Sequence, residues 1–259
     1  MKNMFNVIVI AIAFVMAFAI YQFYFGNASN FQDAEKKKPK AGNVVGMIYT
    51  GGPIVAVLMC LIIVSITFVT ERFLSINKAK GKGDISTYLK KVMEHLAKGA
   101  YADALAECNK QRGSLANIMR AAIERFQQTE KDPEFDKEKT LTEVQRAIDE
   151  ATNLETPLLE KNLVILSTVA SISTMFGLLG TTVGMIRAFA AMGEAGTVDA
   201  TSLAIGISEA LYNTAGGLIG AILSIVCFNF FSTKVDNYVY MIDEAILNVT
   251  QIFKVRLNK

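Results

Sequence analysis

Leu163–Phe231 reads LVILSTVASISTMFGLLGTTVGMIRAFAAMGEAGTVDATSLAIGISEALYNTAGGLIGAILSIVCFNFF. It is apolar for far more than the ~20 helical residues that cross a hydrocarbon core ~30 Å thick. Gly193–Val198 (GEAGTV) breaks it in the middle, so the stretch predicts two membrane helices joined by a short turn. In the first half, alternating steps of three and four give Ser167, Ala170, Thr174, Gly177, Thr181, Gly184 and Ala188, a single helix face of small or hydroxylated residues. The second half gives Ser202, Gly206, Glu209, Asn213, Gly216, Gly220, Ser224 and Cys227, beside a stripe of Ala210, Thr214, Gly217 and Ala221. Leu211, Leu218, Ile222 and Ile225 lie opposite and are the expected lipid face. Lipid supplies no hydrophobic drive between helices, so small residues that allow close contact mark the packing positions. Gly177, Gly184, Gly206, Gly216, Gly217 and Gly220 are expected to serve in that way.

Glu209 stands apart. A carboxylate at bilayer depth costs roughly 2.5 kcal/mol or more even on lenient insertion scales, and faces protein or water rather than lipid. Two readings stand: Glu209 lines an ion path or its wall, or it lies near the outer membrane surface or satisfies a neighbouring subunit structurally. Thr181 and Thr214 are weighed in the same way. A buried threonine usually bonds back to its own helix; two hydroxyls on small-residue faces can also line a narrow polar passage. A hydroxyl relays a proton but holds no charge, so a titrating carboxylate is still required, from Glu209 or from another chain.

Two further apolar runs reach spanning length, Phe5–Phe25 and Gly51–Val69, which brings the expected spans to four. The first resembles a signal peptide with Ala17, Phe18 and Ala19 as a cleavage site. The aromatic cluster Tyr21, Phe23, Tyr24, Phe25 points instead to the interfacial end of a retained anchor helix. Of the 26 Lys and Arg, 16 fall between Arg72 and Lys161, and the turn from Met192 to Ala204 holds none. The positive-inside rule then puts the central segment and the C-terminus in the cytoplasm. Lys36, Lys37, Lys38 and Lys40 fit that orientation poorly, because they follow the first span on the outer side. The expected fold is an all-α integral membrane protein with four transmembrane helices, two of them extended into a cytoplasmic helical domain. The expected order is an extra N-terminal span (1–26), a periplasmic linker (27–50), a span (51–71), a cytoplasmic helical region (72–161), a span (162–192), a periplasmic turn (193–204), a span (205–231) and a cytoplasmic C-terminal helix (232–259).

Within the cytoplasmic region Leu89, Val92, Met93 and Leu96, then Ala102, Leu105 and Ala106, then Leu115, Ile118, Met119, Ala122 and Phe126 recur at helical spacing. Val235, Val239, Ile242, Ile246, Val249 and Phe253 carry the last helix onward, and no convincing break separates Leu141 from the third span, though Pro157 is a place to kink. Cys60, Cys108 and Cys227 suggest no disulfide framework. His95 stands alone in a charged stretch, so no metal site and no cofactor are expected. An enzyme is not expected either: no nucleophile is paired with a base, and the GLLGTTVG glycines lie inside a span rather than after a strand.

At these residues the chain resembles the MotA, TolQ and ExbB proton-channel family. One motif is Gly177–Ile186 (GLLGTTVGMI) followed by Ala188 and Phe189; the other is Ile207–Leu211 (ISEAL) with Thr214–Leu218 (TAGGL) and Phe228–Phe230 (FNF). Their spacing, with Gly51, Gly52, Pro53, Ser65, Glu71 and Arg72 around an earlier span, resembles the ExbB/TolQ branch. The resemblance implies a homopentamer in the bacterial inner membrane around a single-span partner similar to ExbD or TolR, which supplies a titrating aspartate. It also implies a TonB-like transducer, and Thr181, Thr214 and Glu209 as the ion pathway. Thr174 and Leu223 stand where many relatives have proline, which predicts straighter helices, and the N-terminal span is additional to the usual three.

Overall fold

The computed structural model describes residues 2–33, 38–195 and 200–258. Among them it is all-helical apart from an isolated bridge between Phe31 and Pro39. The helices are α1 (Lys2–Ala19, running into a π-helical turn at Ile20–Phe25), α2 (Val44–Tyr49), α3 (Pro53–Lys80), α4 (Ile85–Lys98), α5 (Tyr101–Gln111), α6 (Ser114–Thr129), α7 (Lys137–Glu160), α8 (Leu163–Ala195) and α9 (Ala200–Leu257). Among the described residues four helices are long and apolar enough to cross a membrane. The tip between α8 and α9, with Asp199, lies outside the described residues, as do Lys36 and Lys37.

The chain divides into two compact units, Met1–Thr70 with Val164–Asn229, and Glu71–Leu163 with Phe230–Lys259. In the first, among its described side chains, α1 buries only Ala13 and Ala17 before the buried Tyr21, while Val7, Ile8, Ile12, Phe14, Val15 and Phe18 point outward. A helix with one small-residue contact line and large apolar side chains elsewhere suits a hydrocarbon solvent. The Tyr21 ring stacks on Tyr49 at 4.6 Å between centroids, and its hydroxyl donates to the Tyr49 carbonyl at 3.2 Å. Val55 and Ala56 of α3 complete that cluster. The described parts of the 27–50 segment are packed: Phe31 is buried, Asn43 caps α2 through Gly46 N–H, and the Asn43 amide donates to Asn30 Oδ1. The expected lipid-facing residues Leu211, Leu218, Ile222 and Ile225 are all exposed. Both α8 and α9 run unbroken through Thr174 and Leu223.

In the second unit Val92, Leu96, Ile118, Ala122, Ile123, Phe126, Ile148, Ile242, Val249 and Phe253 form the core, with Phe126 and Phe253 stacked at 4.1 Å. Asp84 and Asp136 accept from the N–H groups of Thr87 and Lys139 and so start α4 and α7; Gly99, in the left-handed region, ends α4. Packing settles one helix face and changes one expectation. The inward face of α5 is Tyr101, Ala104 and Cys108, and Ala102 and Ala106 face outward. Alanine is at home on either face of a helix, so the larger neighbours set the register. The run from Leu141 is also interrupted: α7 passes through Pro157 but stops at Glu160, and α8 begins at Leu163 after Asn162 adopts a φ of 64°. Arg72 holds that end. Its side chain is 1% exposed, donates to the orphan Leu159 carbonyl at 3.2 Å, and makes two bonds to Glu71 at 2.6 and 2.7 Å.

Candidate functional site

The α8–α9 contact is built from glycines. A Cβ added to Gly217 would stand 2.6 Å from the Ser173 carbonyl oxygen and 2.7 Å from the Gly177 Cα. Gly184 meets Ala210 and Gly206 meets Ala188 at comparable range. Gly216 and Gly220 differ. Gly216 faces only the Leu58 side chain, at 3.4 Å, and Gly220 faces Ser173 and Ile62 of α3. Gly180, absent from the expected packing positions, is as tight as the rest, because Asn213 fills the space where its side chain would be.

This close approach lets polar side chains meet along α9. The Thr214 hydroxyl donates to the Gly177 carbonyl of α8 at 3.3 Å and lies 3.4 Å from the Thr181 hydroxyl. Thr181 in turn donates to its own helix, at Leu178, at 2.8 Å. Glu209 is placed elsewhere. It is five residues before Thr214, about 7.5 Å along the axis at 1.5 Å per residue. Its carboxylate accepts from Arg187 of α8 at 2.6 Å, with the side chains 12% and 52% exposed respectively. Between the two levels, buried Asn213 donates to the Gly51 carbonyl at 2.9 Å, and its Oδ1 has no hydrogen-bond partner. Further along, Ser173 is buried with an unpartnered hydroxyl, and the Ser65 and Ser224 hydroxyls meet at 2.6 Å between α3 and α9.

The structure thus brings Thr181 and Thr214 together and sets Glu209 apart with Arg187. Arg187 was missed from the sequence, although an arginine inside a predicted span is a signal in itself. The polar ladder can orient water or pass a proton between hydroxyls. Among the described residues no group of three His, Cys, Asp or Glu is placed to hold a metal. In the second unit, burial pushes the Cys108 thiol up, away from the reactive thiolate, and its neighbour within 3.1 Å is the Tyr88 hydroxyl. Burial, then the hydrogen bond to Glu130, pushes Tyr101 up to about 12. Neither group is poised for chemistry near neutrality.

Residues 109–244 match the model of the MotA/TolQ/ExbB proton channel family. Similar curated proteins include the Tol-Pal system protein TolQ of Pseudomonas aeruginosa, 34% identical over 117 residues that cover 45% of this chain and 51% of TolQ. The biopolymer transport protein ExbB of Aquifex aeolicus is 44% identical over 77 residues, 30% of this chain and 52% of ExbB. A putative biopolymer transport protein, ExbB-like 3, of Synechocystis sp. is 38% identical over 94 residues, 36% and 45% of the respective chains. The chain spans about half the length of the curated relatives it matches.

Proposed function

Because this chain belongs to the MotA/TolQ/ExbB proton channel family, we propose that it is the channel-forming subunit of an inner-membrane motor driven by the proton-motive force. In this reading it energises TonB-dependent import across the outer membrane. It assembles as a homopentamer around an ExbD-like single-span protein, whose aspartate carries the proton, and moves a TonB-like transducer. The central helices and the C-terminus lie in the cytoplasm.

One observation carries the reading: the Thr181 and Thr214 hydroxyls lie 3.4 Å apart where two glycine-lined helices touch. Both hydroxyls are half-buried, so they are within reach of a helix laid against that face. Thr181, Thr214 and Glu209 form the ion pathway in this account. The hydroxyls are stepping points opposite the partner's carboxylate, and Glu209 is a charged element of the wall.

A TolQ-like motor that maintains the envelope is a second reading, and the similarity to Pseudomonas TolQ favours it to a comparable degree. Growth separates the two. The Thr181→Ala, Thr214→Ala double variant, present in the membrane at normal amount, is expected to lose growth on a ferric siderophore as sole iron source while keeping detergent resistance. Detergent sensitivity with normal iron uptake would instead assign the envelope role. Normal growth in both assays would leave a non-conducting oligomeric scaffold.

A further inference from the structure

Arg187 and Glu209 both lie in helices long and apolar enough to cross a membrane, and each supplies the other's counter-charge. The geometry around them is specific. Gly52 has a φ of 75°, and a Cβ there would come within 2.9 Å of Glu209 Oε1 and 3.2 Å of Arg187 Nη1. The pair is therefore roofed by a turn that only glycine can make at that distance. The turn is pinned from below, where Asn213, one helical turn along from Glu209, donates to the Gly51 carbonyl at 2.9 Å. It is pinned from the side by Tyr49, which precedes Gly51 by two residues and is itself held by the stacked Tyr21 ring and its hydroxyl. Among the described residues Tyr21 also lies close enough to interact electrostatically with the pair. Three parts of the chain, α8, α9 and the turn before α3, thus converge on one carboxylate.

We infer that Arg187 is a positioning residue that locks Glu209 as a fixed, charged carboxylate beneath the Gly51–Gly52 turn. This rests on the channel reading and narrows it, since Glu209 then shapes the pathway and its field without carrying the proton. The reason is chemical. Guanidinium does not give up its proton in proteins. Protonating Glu209 would therefore leave the half-exposed Arg187 without its counter-charge and give up the charge-assisted bond at 2.6 Å.

Labelling of the full chain in native membranes with dicyclohexylcarbodiimide tests this directly. The reagent adds to protonated carboxylic acids in apolar surroundings, and peptide mass spectrometry locates the adduct. Glu209 is expected to stay unlabelled in the wild type and in Arg187→Lys, which keeps the charge. In Arg187→Gln its labelling should rise about tenfold or more, because the carboxylate has lost its counter-charge. The Arg187→Gln, Glu209→Gln double variant should restore the membrane-assembled amount if the single variant lowers it. Labelling of Glu209 in the wild type overturns the lock, and so does continued protection in Arg187→Gln. Failure of the channel reading looks different: the labelling pattern holds, but the wild-type complex reconstituted in liposomes carries no proton flux.

Discussion

Replacing Gly217 by alanine is expected to lower the melting temperature of the solubilised protein by about 5 °C or more. Alanine favours the helix over glycine by about 1 kcal/mol, so intrinsic propensity alone predicts stabilisation. Sterics decide otherwise. The new methyl would stand 2.6 Å from the Ser173 carbonyl oxygen and 2.7 Å from the Gly177 Cα. Both are backbone atoms, so no rotamer change relieves the clash and α8 must move away from α9. Overpacking costs about 1–3 kcal/mol where side chains can adjust, and a backbone contact belongs at the upper end. The separation would also break the bond from Thr214 to the Gly177 carbonyl. Gly216→Ala is the matched control. Its nearest neighbour is the Leu58 Cδ1 at 3.4 Å, a flexible end, so the change should be neutral or stabilising by up to about 1 kcal/mol. Equal melting temperatures for the two variants would refute the packing account.

Arg72→Leu is expected to be still more damaging, about 3 kcal/mol or more, and to reduce the amount of folded protein in membranes. The side chain is 1% exposed and makes three hydrogen bonds. Leucine fills the volume but leaves the half-buried Glu71 without its guanidinium and the Leu159 carbonyl without a donor. Asn162 still donates to Glu71 at 3.2 Å, which is too little to replace two charge-assisted bonds. Lysine is expected to recover only part of the loss, since one ammonium cannot reproduce a planar fork aimed at a carboxylate and a carbonyl together. Limited proteolysis between α7 and α8 reads the effect. Arg72→Leu with wild-type protease resistance would show that the buried fork is dispensable.

The sequence carried some of this and withheld the rest for physical reasons. Spans are legible because hydrocarbon demands length and apolarity, and the small-residue stripes are legible because 3.6-residue periodicity puts them on one face. Leu211, Leu218, Ile222 and Ile225 are exposed on that account, and Val235, Ile242, Val249 and Phe253 are buried. Periodicity names a face but no partner. Nothing in the stripe tells that Gly217 touches backbone while Gly216, its neighbour, touches a leucine tip. Nor does it place Glu209 with Arg187 rather than with the threonines, since that pairing depends on how α8 and α9 are staggered. The inward face of α5 is not set by its pattern, because two alanines fit either environment. The stop at Lys161 and Asn162 has no glycine or proline to announce it; it follows from Arg72, nearly ninety residues away in sequence, bonding to the freed carbonyl.

Proton uptake into liposomes tests the central claim most directly, with the purified complex reconstituted and an internal pH-sensitive dye as the readout. The Thr181→Val, Thr214→Val double variant keeps the shape of both side chains and removes both hydroxyls. The channel account predicts that it assembles normally and loses most of the proton flux under an imposed potential. Wild-type flux from that variant would contradict the account and take the two threonines out of the pathway.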